Sequence, residues 1–208
     1  MSLPLKYLEI KTKKLFGKAP KSPAIVNLEL LVGCNLKCQN CDQWQIYSRH
    51  PDYEKSELKT QDWIRIANEL GSLGVPAVGI TGGEPLIHKG LFEIIRELKK
   101  NKIIVHLNTN GTLNSDENIK KLIESGIDSV TVSIDHYGIE HDKIRGLPNT
   151  FNKAIEMIKK LKNVGINRVG ICVLLMGQDV SHIEKLVALA NELNIDIDNC
   201  VDYVTLSH

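Results

Sequence analysis

No apolar stretch in this 208-residue chain approaches the roughly 20 residues that a membrane-spanning helix needs, and the N-terminus has no signal-peptide core. A soluble, cytoplasmic protein without a membrane partner is expected. An excess of either charge is also lacking. The 26 lysines and arginines nearly balance 25 aspartates and glutamates, for a formal net charge of +1, so composition supplies no general attraction for nucleic acid. The short basic run Lys11, Lys13 and Lys14 reads as the solvated face of an N-terminal helix. Internal repeats and low-complexity linkers are absent, and the length suits one domain, being short for a core plus a full accessory domain. Cysteine is sparse at five, an odd number, with three of them inside eight residues. A chain this long does not need disulfides to fold, so reduced thiols serving a metal are expected rather than bridges.

What is present is alternation. Five segments carry amphipathic-helix spacing: Trp63/Ile66/Ala67/Leu70, Leu91/Ile94/Ile95/Leu98, Ile119/Leu122/Ile123, Phe151/Ala154/Ile155/Ile158/Leu161 and Ile183/Leu186/Val187/Ala190. Capping-box spacing places helix starts at Asn114 with Glu117 and at Ser181 with Glu184. Between them lie short runs rich in β-branched residues at 25–32, 77–81, 103–107, 129–134, 168–175 and, more weakly, 200–206. Runs apolar on both sides suit strands covered on both faces. Strict strand-helix alternation then requires parallel strands with right-handed crossovers, an α/β architecture that is either a partial barrel or an open sheet. Residues 1–24 stand outside this pattern, as a helix ending at Gly17 and a Pro20/Pro23 lead-in. Residues 25–208 form the core.

Parallel α/β architectures gather their active sites at the carboxyl ends of the strands. Four polar clusters are therefore expected on one rim: the cysteine loop after the first strand, Gly82-Gly83-Glu84-Pro85 after the second, Asn108-Thr109-Asn110-Gly111 after the third, and Asp135-His136 after the fourth. The cysteine loop has thiols at Cys34, Cys38 and Cys41, among residues that favour irregular backbone. Three thiolates can each hold one iron of a [4Fe-4S] cluster and leave the fourth open to bind and orient a substrate or cofactor. Two other readings stand beside this one. The thiols can bind structural zinc completed by His50 or Asp42, or pack as small hydrophobes on one helix face.

These residues resemble the radical S-adenosylmethionine superfamily, whose cluster motif is CxxxCxxC after the first strand. Gly82-Gly83-Glu84-Pro85 looks like its GGEP motif, and the likeness continues through Asn108-Thr109-Asn110-Gly111, Ser133-Ile134-Asp135 and His141-Asp142-Lys143-Ile144-Arg145-Gly146, over about residues 25–195. The resemblance implies a partial (β/α)6 TIM-like barrel of parallel strands. It makes Cys34, Cys38 and Cys41 both metal ligands and catalytic residues. It also makes Gly82, Gly83, Glu84, Pro85, Asn108, Ser133, Asp135 and Arg145 contacts of S-adenosylmethionine. In that scheme the glycine loop and Glu84 receive the ammonium, and Arg145 receives the carboxylate through paired hydrogen bonds. A surface ion pair of Arg145 with Asp142 is the alternative.

Two positions depart from the family pattern. Asn40 stands where many members have an aromatic residue near the adenine, and His136-Tyr137 stands where similar sequences often have a glycine and substrate approaches; packing is the reading for His136, with action on substrate as the alternative.

The implied activity is reductive cleavage of S-adenosylmethionine at the cluster to a 5′-deoxyadenosyl radical, which abstracts hydrogen from a small-molecule or peptide substrate. A flavodoxin- or ferredoxin-type protein would donate the electron. The Ser133-Ile134-Asp135 and Arg145-Gly146 stretches look more like peptide-modifying or cofactor-building members than deazaguanine-forming or glycyl-radical-activating ones. The rival from another class is a non-catalytic iron-sulfur or zinc module for electron transfer or assembly, which has no use for the glycine loop or Arg145. Cys172, among Ile171, Val173 and Leu174, is expected to be a buried core thiol, and Cys200 stands alone. The cysteine-rich C-terminal extension of many peptide-modifying members is not expected here, and the lateral opening of the barrel would need a further segment, a partner or a large substrate to cover it.

Overall fold

Short runs of β-branched and aliphatic residues pair side by side in chain order, because each is followed by an amphipathic helix that returns the chain to the same end of the sheet. The computed structural model describes residues 12–13, 21–166, 168–177 and 179–202. Strands β1 (Ile25–Glu29), β2 (Ala77–Thr81), β3 (Ile104–Thr109), β4 (Ser129–Ser133), β5 (Arg168–Leu175) and β6 (Asp196–Asp202) form one parallel sheet in the order β1-β2-β3-β4-β5-β6. After β1 come α1 (Ile46–Arg49), α2 (Tyr53–Ser56) and α3 (Thr60–Leu73); α4 (Leu91–Lys100) follows β2 and α5 (Asp116–Ser125) follows β3. Helices α6 (Ile139–Arg145) and α7 (Thr150–Asn163) follow β4, and α8 (Val180–Leu193) follows β5. Among the described residues β1 and β6 are edges, so the sheet is open and matches a partial (β/α)6 TIM-like barrel.

The core lies between sheet and helices. Ile94, Ile95 and Leu98 of α4, Leu122 of α5, and Met157, Ile158 and Leu161 of α7 are fully buried in one cluster with Val78, Ile80, Val105, Leu107, Val130, Val132 and Ile171 of the strands. Each such side chain contributes about 1.5–3 kcal/mol by leaving water. A frame stabilised this way leaves the loops at the carboxyl ends free to carry polar groups.

Three expectations need correction. The last strand starts at Asp196, before the expected 200, because Asn194 ends α8 in a left-handed cap and the alternating Ile195, Asp196, Ile197 pattern makes a half-buried edge strand, while 203–206 of the expected run lie outside the described residues. Helix α5 is capped by Ser115, not Asn114: the Ser115 hydroxyl accepts from the Asn118 amide at 3.2 Å, while Asn114 reaches across to the Lys153 carbonyl at 3.0 Å. Helix α8 is capped by Asp179, whose carboxylate accepts the His182 amide at 2.9 Å and the Ser181 hydroxyl at 2.7 Å, so the stronger acceptor takes the cap. Of the N-terminal segment, Thr12 and Lys13 are helical; Lys11, Lys14, Gly17 and Pro20 lie outside the described residues.

Candidate functional site

The β1–β2 ladder extends to Leu30, whose amide donates to the Thr81 carbonyl at 3.1 Å; beyond it the turn after β2 takes over. The Gly83 amide donates to the Leu31 carbonyl at 2.8 Å and the Glu84 amide to the Gly33 carbonyl at 2.9 Å. This approach requires glycine at position 83, where a Cβ would stand 2.1 Å from the Gly33 oxygen and 2.5 Å from that of Val32. The other end of the cysteine loop is fastened to α6. The Gln39 amide donates to the Ile144 carbonyl at 2.8 Å. Gly146, at φ 71°, comes so close that a Cβ would meet the Lys37 oxygen at 2.5 Å. The glycine after Arg145 thus lets the cysteine loop dock.

Between these anchors Cys38 is buried and Cys34 and Cys41 are half-buried. The Asn110 amide group donates to Asn35 Oδ1 at 2.9 Å and lies 3.9 Å from Cys34 Sγ, while Asn35 Nδ2 donates to Thr112 Oγ1 at 2.8 Å. Trp44 Nε1 donates to the Cys38 carbonyl at 3.2 Å. Burial pushes the Cys34 and Cys38 thiols up; for Cys38 the Arg145 guanidinium opposes it, with Nη1 4.0 Å from the sulfur. The arrangement supplies positive charge where a thiolate would form.

Glu84 is completely buried. Its carboxylate accepts from the Leu86 amide at 3.1 Å, the Thr109 hydroxyl at 2.8 Å and the Asn110 amide at 2.8 Å, tying the β2 turn to the β3 loop. Burial pushes its carboxyl up, against these hydrogen bonds and the charge of Arg145. Surrounded by donors, the side chain is a tie between loops.

Asp135, 2% exposed, pairs through Oδ2 with Arg145 Nη2 at 2.8 Å, and its Oδ1 accepts the Leu174 amide at 3.2 Å. The Asp135 amide donates to His141 Nδ1 at 3.2 Å, and its carbonyl meets His182 Nε2 at 3.3 Å. Asp142, the alternative partner for Arg145, instead accepts from the Asn149 amide at 2.6 Å, the Thr150 hydroxyl at 2.8 Å and the Phe151 amide at 2.8 Å, which starts α7. Arg145 therefore pairs with the buried Asp135 just past the end of β4, and is itself part-buried. His136 stacks on His182 with ring centroids 3.3 Å apart, and Tyr137 is exposed.

One pocket of about 270 Å³ collects these groups. Cys34, Cys38, Cys41, Gly82, Gly83, Asn108, Ser133, Asp135 and Arg145 all line it. Glu84 and Pro85 are buried and are not among its lining residues. Among the wall residues that the motifs did not point to are Cys172, Leu174 and Trp44. Cys172 is a half-buried wall residue, not a core thiol, because the β4–β5 register sets it opposite Ser133 at the strand ends. Leu174 follows on the same strand, and Trp44 comes from the turn after Cys41; an aromatic three residues past the motif was the available signal.

The donor set fits a cluster with an organic cofactor. Three thiols spread around one pocket suit a [4Fe-4S] cluster, which takes each thiolate at a different iron. Beside them Arg145 Nε is buried without a hydrogen-bond partner among the described residues, a donor left for a ligand.

Comparison with known proteins gives the family and the fold. The family model described as "Radical SAM superfamily" matches residues 28–190. The chain is similar to the AdoMet-dependent heme synthase of Methanosarcina barkeri, 33% identical over 173 residues, which are 83% of this chain and 48% of that protein. It is also similar to the PqqA peptide cyclase of Granulibacter bethesdensis, 30% identical over 141 residues, 66% of this chain and 36% of the other. The chain thus spans about half the length, or less, of these relatives. The crystal structure of Streptococcus suis SuiB shares the fold, with a TM-score of 0.77 at 20% identity over 98% of this chain and 44% of that one.

Proposed function

We propose, from the premise that this chain belongs to the radical SAM superfamily, that it is the core of an enzyme acting on a peptide or a cofactor precursor. The observation that carries the reading is the convergence of three thiols, the Gly82-Gly83 turn and the Asp135–Arg145 pair on one pocket at the carboxyl ends of the strands. Cys34, Cys38 and Cys41 would hold a [4Fe-4S] cluster. Bound there, the cluster and S-adenosylmethionine would supply radical chemistry for hydrogen abstraction from substrate.

The chain's own residues bind and orient. The Gly82-Gly83 backbone borders the place for the ammonium, with Glu84 and Pro85 holding that turn from behind. Arg145, its Nη2 committed to Asp135, has Nη1 toward Cys38 and Nε for a carboxylate. Asn108, Ser133 and Asp135 supply polar groups for the ribose side, and Trp44 offers an apolar ring in the wall that Asn40 does not. Leu36 and Leu174 line the same wall and help keep water out.

The substrate class follows from similarity to a heme synthase and a peptide cyclase, so peptide and tetrapyrrole-type precursors come first. A flavodoxin or ferredoxin would be the electron donor, and neither nucleic acid nor membrane is a partner. A cytoplasmic place goes with this reading; separately, no helix among the described residues is long and apolar enough to cross a membrane.

Anaerobic reconstitution should give about four irons per chain, falling to near zero when Cys34, Cys38 or Cys41 is changed to alanine. With a strong reductant the reconstituted protein should convert S-adenosylmethionine to 5′-deoxyadenosine and methionine. A colourless protein holding one tight zinc would favour the non-catalytic module instead.

A further inference from the structure

Two backbone amides stand immediately before Cys34, beyond the end of the β1–β2 ladder. The Val32 amide donates to Glu57 Oε1 at 2.8 Å, and the Gly33 amide donates to the Tyr47 hydroxyl oxygen at 3.1 Å. That hydroxyl in turn donates to the same Glu57 oxygen at 2.7 Å. Tyr47 belongs to α1 and Glu57 follows α2, so both come from the short helical segment after the third cysteine. The carbonyls of Leu31 and Gly33 are already taken by Gly83 and Glu84. The lead-in to Cys34 is thus held along both edges, by the glycine turn on one and by a tyrosine–glutamate pair on the other.

The pair also makes direct packing contact. A Cβ at position 33 would meet the Tyr47 ring at 3.0 Å, so the ring lies against the Gly33 backbone. Burial, aided by Glu57, pushes the Tyr47 hydroxyl above its ordinary range, which keeps it protonated and donating. Removing the hydroxyl would leave the Gly33 amide without its acceptor one residue from a cluster ligand.

We propose that Tyr47 and Glu57 are positioning residues for the cluster. By holding the amides of Val32 and Gly33 they set where Cys34 presents its sulfur, and so how firmly and in what electronic environment the cluster is bound. The proposal rests on the reading that Cys34, Cys38 and Cys41 hold a [4Fe-4S] cluster.

The test compares the parent with Tyr47→Phe, Glu57→Gln and Glu57→Ala, each reconstituted anaerobically. The readouts are the rate of iron loss to a ferrous chelator, the electron paramagnetic resonance spectrum of the reduced cluster without S-adenosylmethionine, and the melting temperature of the metal-free chain. Tyr47→Phe and Glu57→Ala should lose iron roughly tenfold faster, the factor expected when a partly buried amide is left unsatisfied, and should show shifted g values. Glu57→Gln keeps an oxygen acceptor and should stay near the parent in both readouts. Parent-like iron loss and spectra in both Tyr47→Phe and Glu57→Ala overturn the proposal. So does a lowered metal-free melting temperature with unshifted g values, since that marks a merely structural role. Should Glu57→Ala fail to fold, the contrast between Tyr47→Phe and Glu57→Gln decides. A parent that binds no iron sinks the cluster reading and this proposal with it, and that failure shows itself before any substitution is made.

Discussion

Gly83→Ala should cost the protein its iron, from about four per chain to less than one. The added Cβ would lie 2.1 Å from the Gly33 carbonyl oxygen and 2.5 Å from that of Val32, and both obstacles are backbone, so no side-chain rotation relieves them. One strand end must withdraw, which breaks the bonds from Gly83 to Leu31 and from Glu84 to Gly33 and moves Cys34 away from Cys38 and Cys41. The hydrophobic frame lies elsewhere, so far-ultraviolet circular dichroism should change little while reconstituted iron collapses. A Gly83→Ala protein that keeps its iron and its S-adenosylmethionine affinity would show that the turn can yield without disturbing the thiols.

Acid should unfold the protein through His141. This side chain is completely buried, accepts the Asp135 amide on Nδ1 and has no partner for Nε2 among the described residues, so it must be neutral with its proton on Nε2. Burial above all, with the positive charge of Arg145 adding, lowers its pKa to about 3. The unfolded value is about 6.5, so the native state disfavours the proton that the unfolded chain takes up. The stability contribution is then fully present above about pH 6.5 and lost as pH falls toward about 3, at roughly 1.4 kcal/mol per unit, or about 2 kcal/mol by pH 5. His88 and His182, also lowered by burial, add in the same direction. Urea unfolding of the metal-free chain at pH 7 and pH 5 checks this. His141→Leu should be less stable at pH 7 yet show a much smaller difference between the two pH values; an undiminished difference would assign the titration to another group.

The parts of this molecule that were legible in the sequence are those whose residue type is dictated by chemistry or by periodicity. Three cysteines at fixed spacing and a glycine pair one strand later needed no tertiary information, and neither did the strand–helix alternation that puts them on one rim. What was hidden depends on register and on which competing partner wins. Arg145 chooses Asp135 over the neighbouring Asp142 because Asp142 is already spent on three donors at the start of α7. Cys172 reaches the pocket wall only through the pairing of β5 with β4. Glu84 reads as a ligand contact by motif, whereas its surroundings make it the fastening between two loops. Tyr47 and Glu57 sit in a stretch with no periodic signal, and nothing in their spacing announces that they meet the backbone before Cys34.

The cysteine loop is held by bonds that reach far along the chain: Asn35 to Thr112 spans 77 residues, and Arg145 to Cys38 spans 107. Contacts of such high order close late in folding, since the intervening strands must be in place before the loop gains its partners. The thiols are therefore expected to be gathered by a formed scaffold and not to nucleate it, the reverse of a zinc finger, where metal and fold arrive together. On that order of events the metal-free chain is expected to fold on its own, which a cooperative urea transition before any iron is added would check.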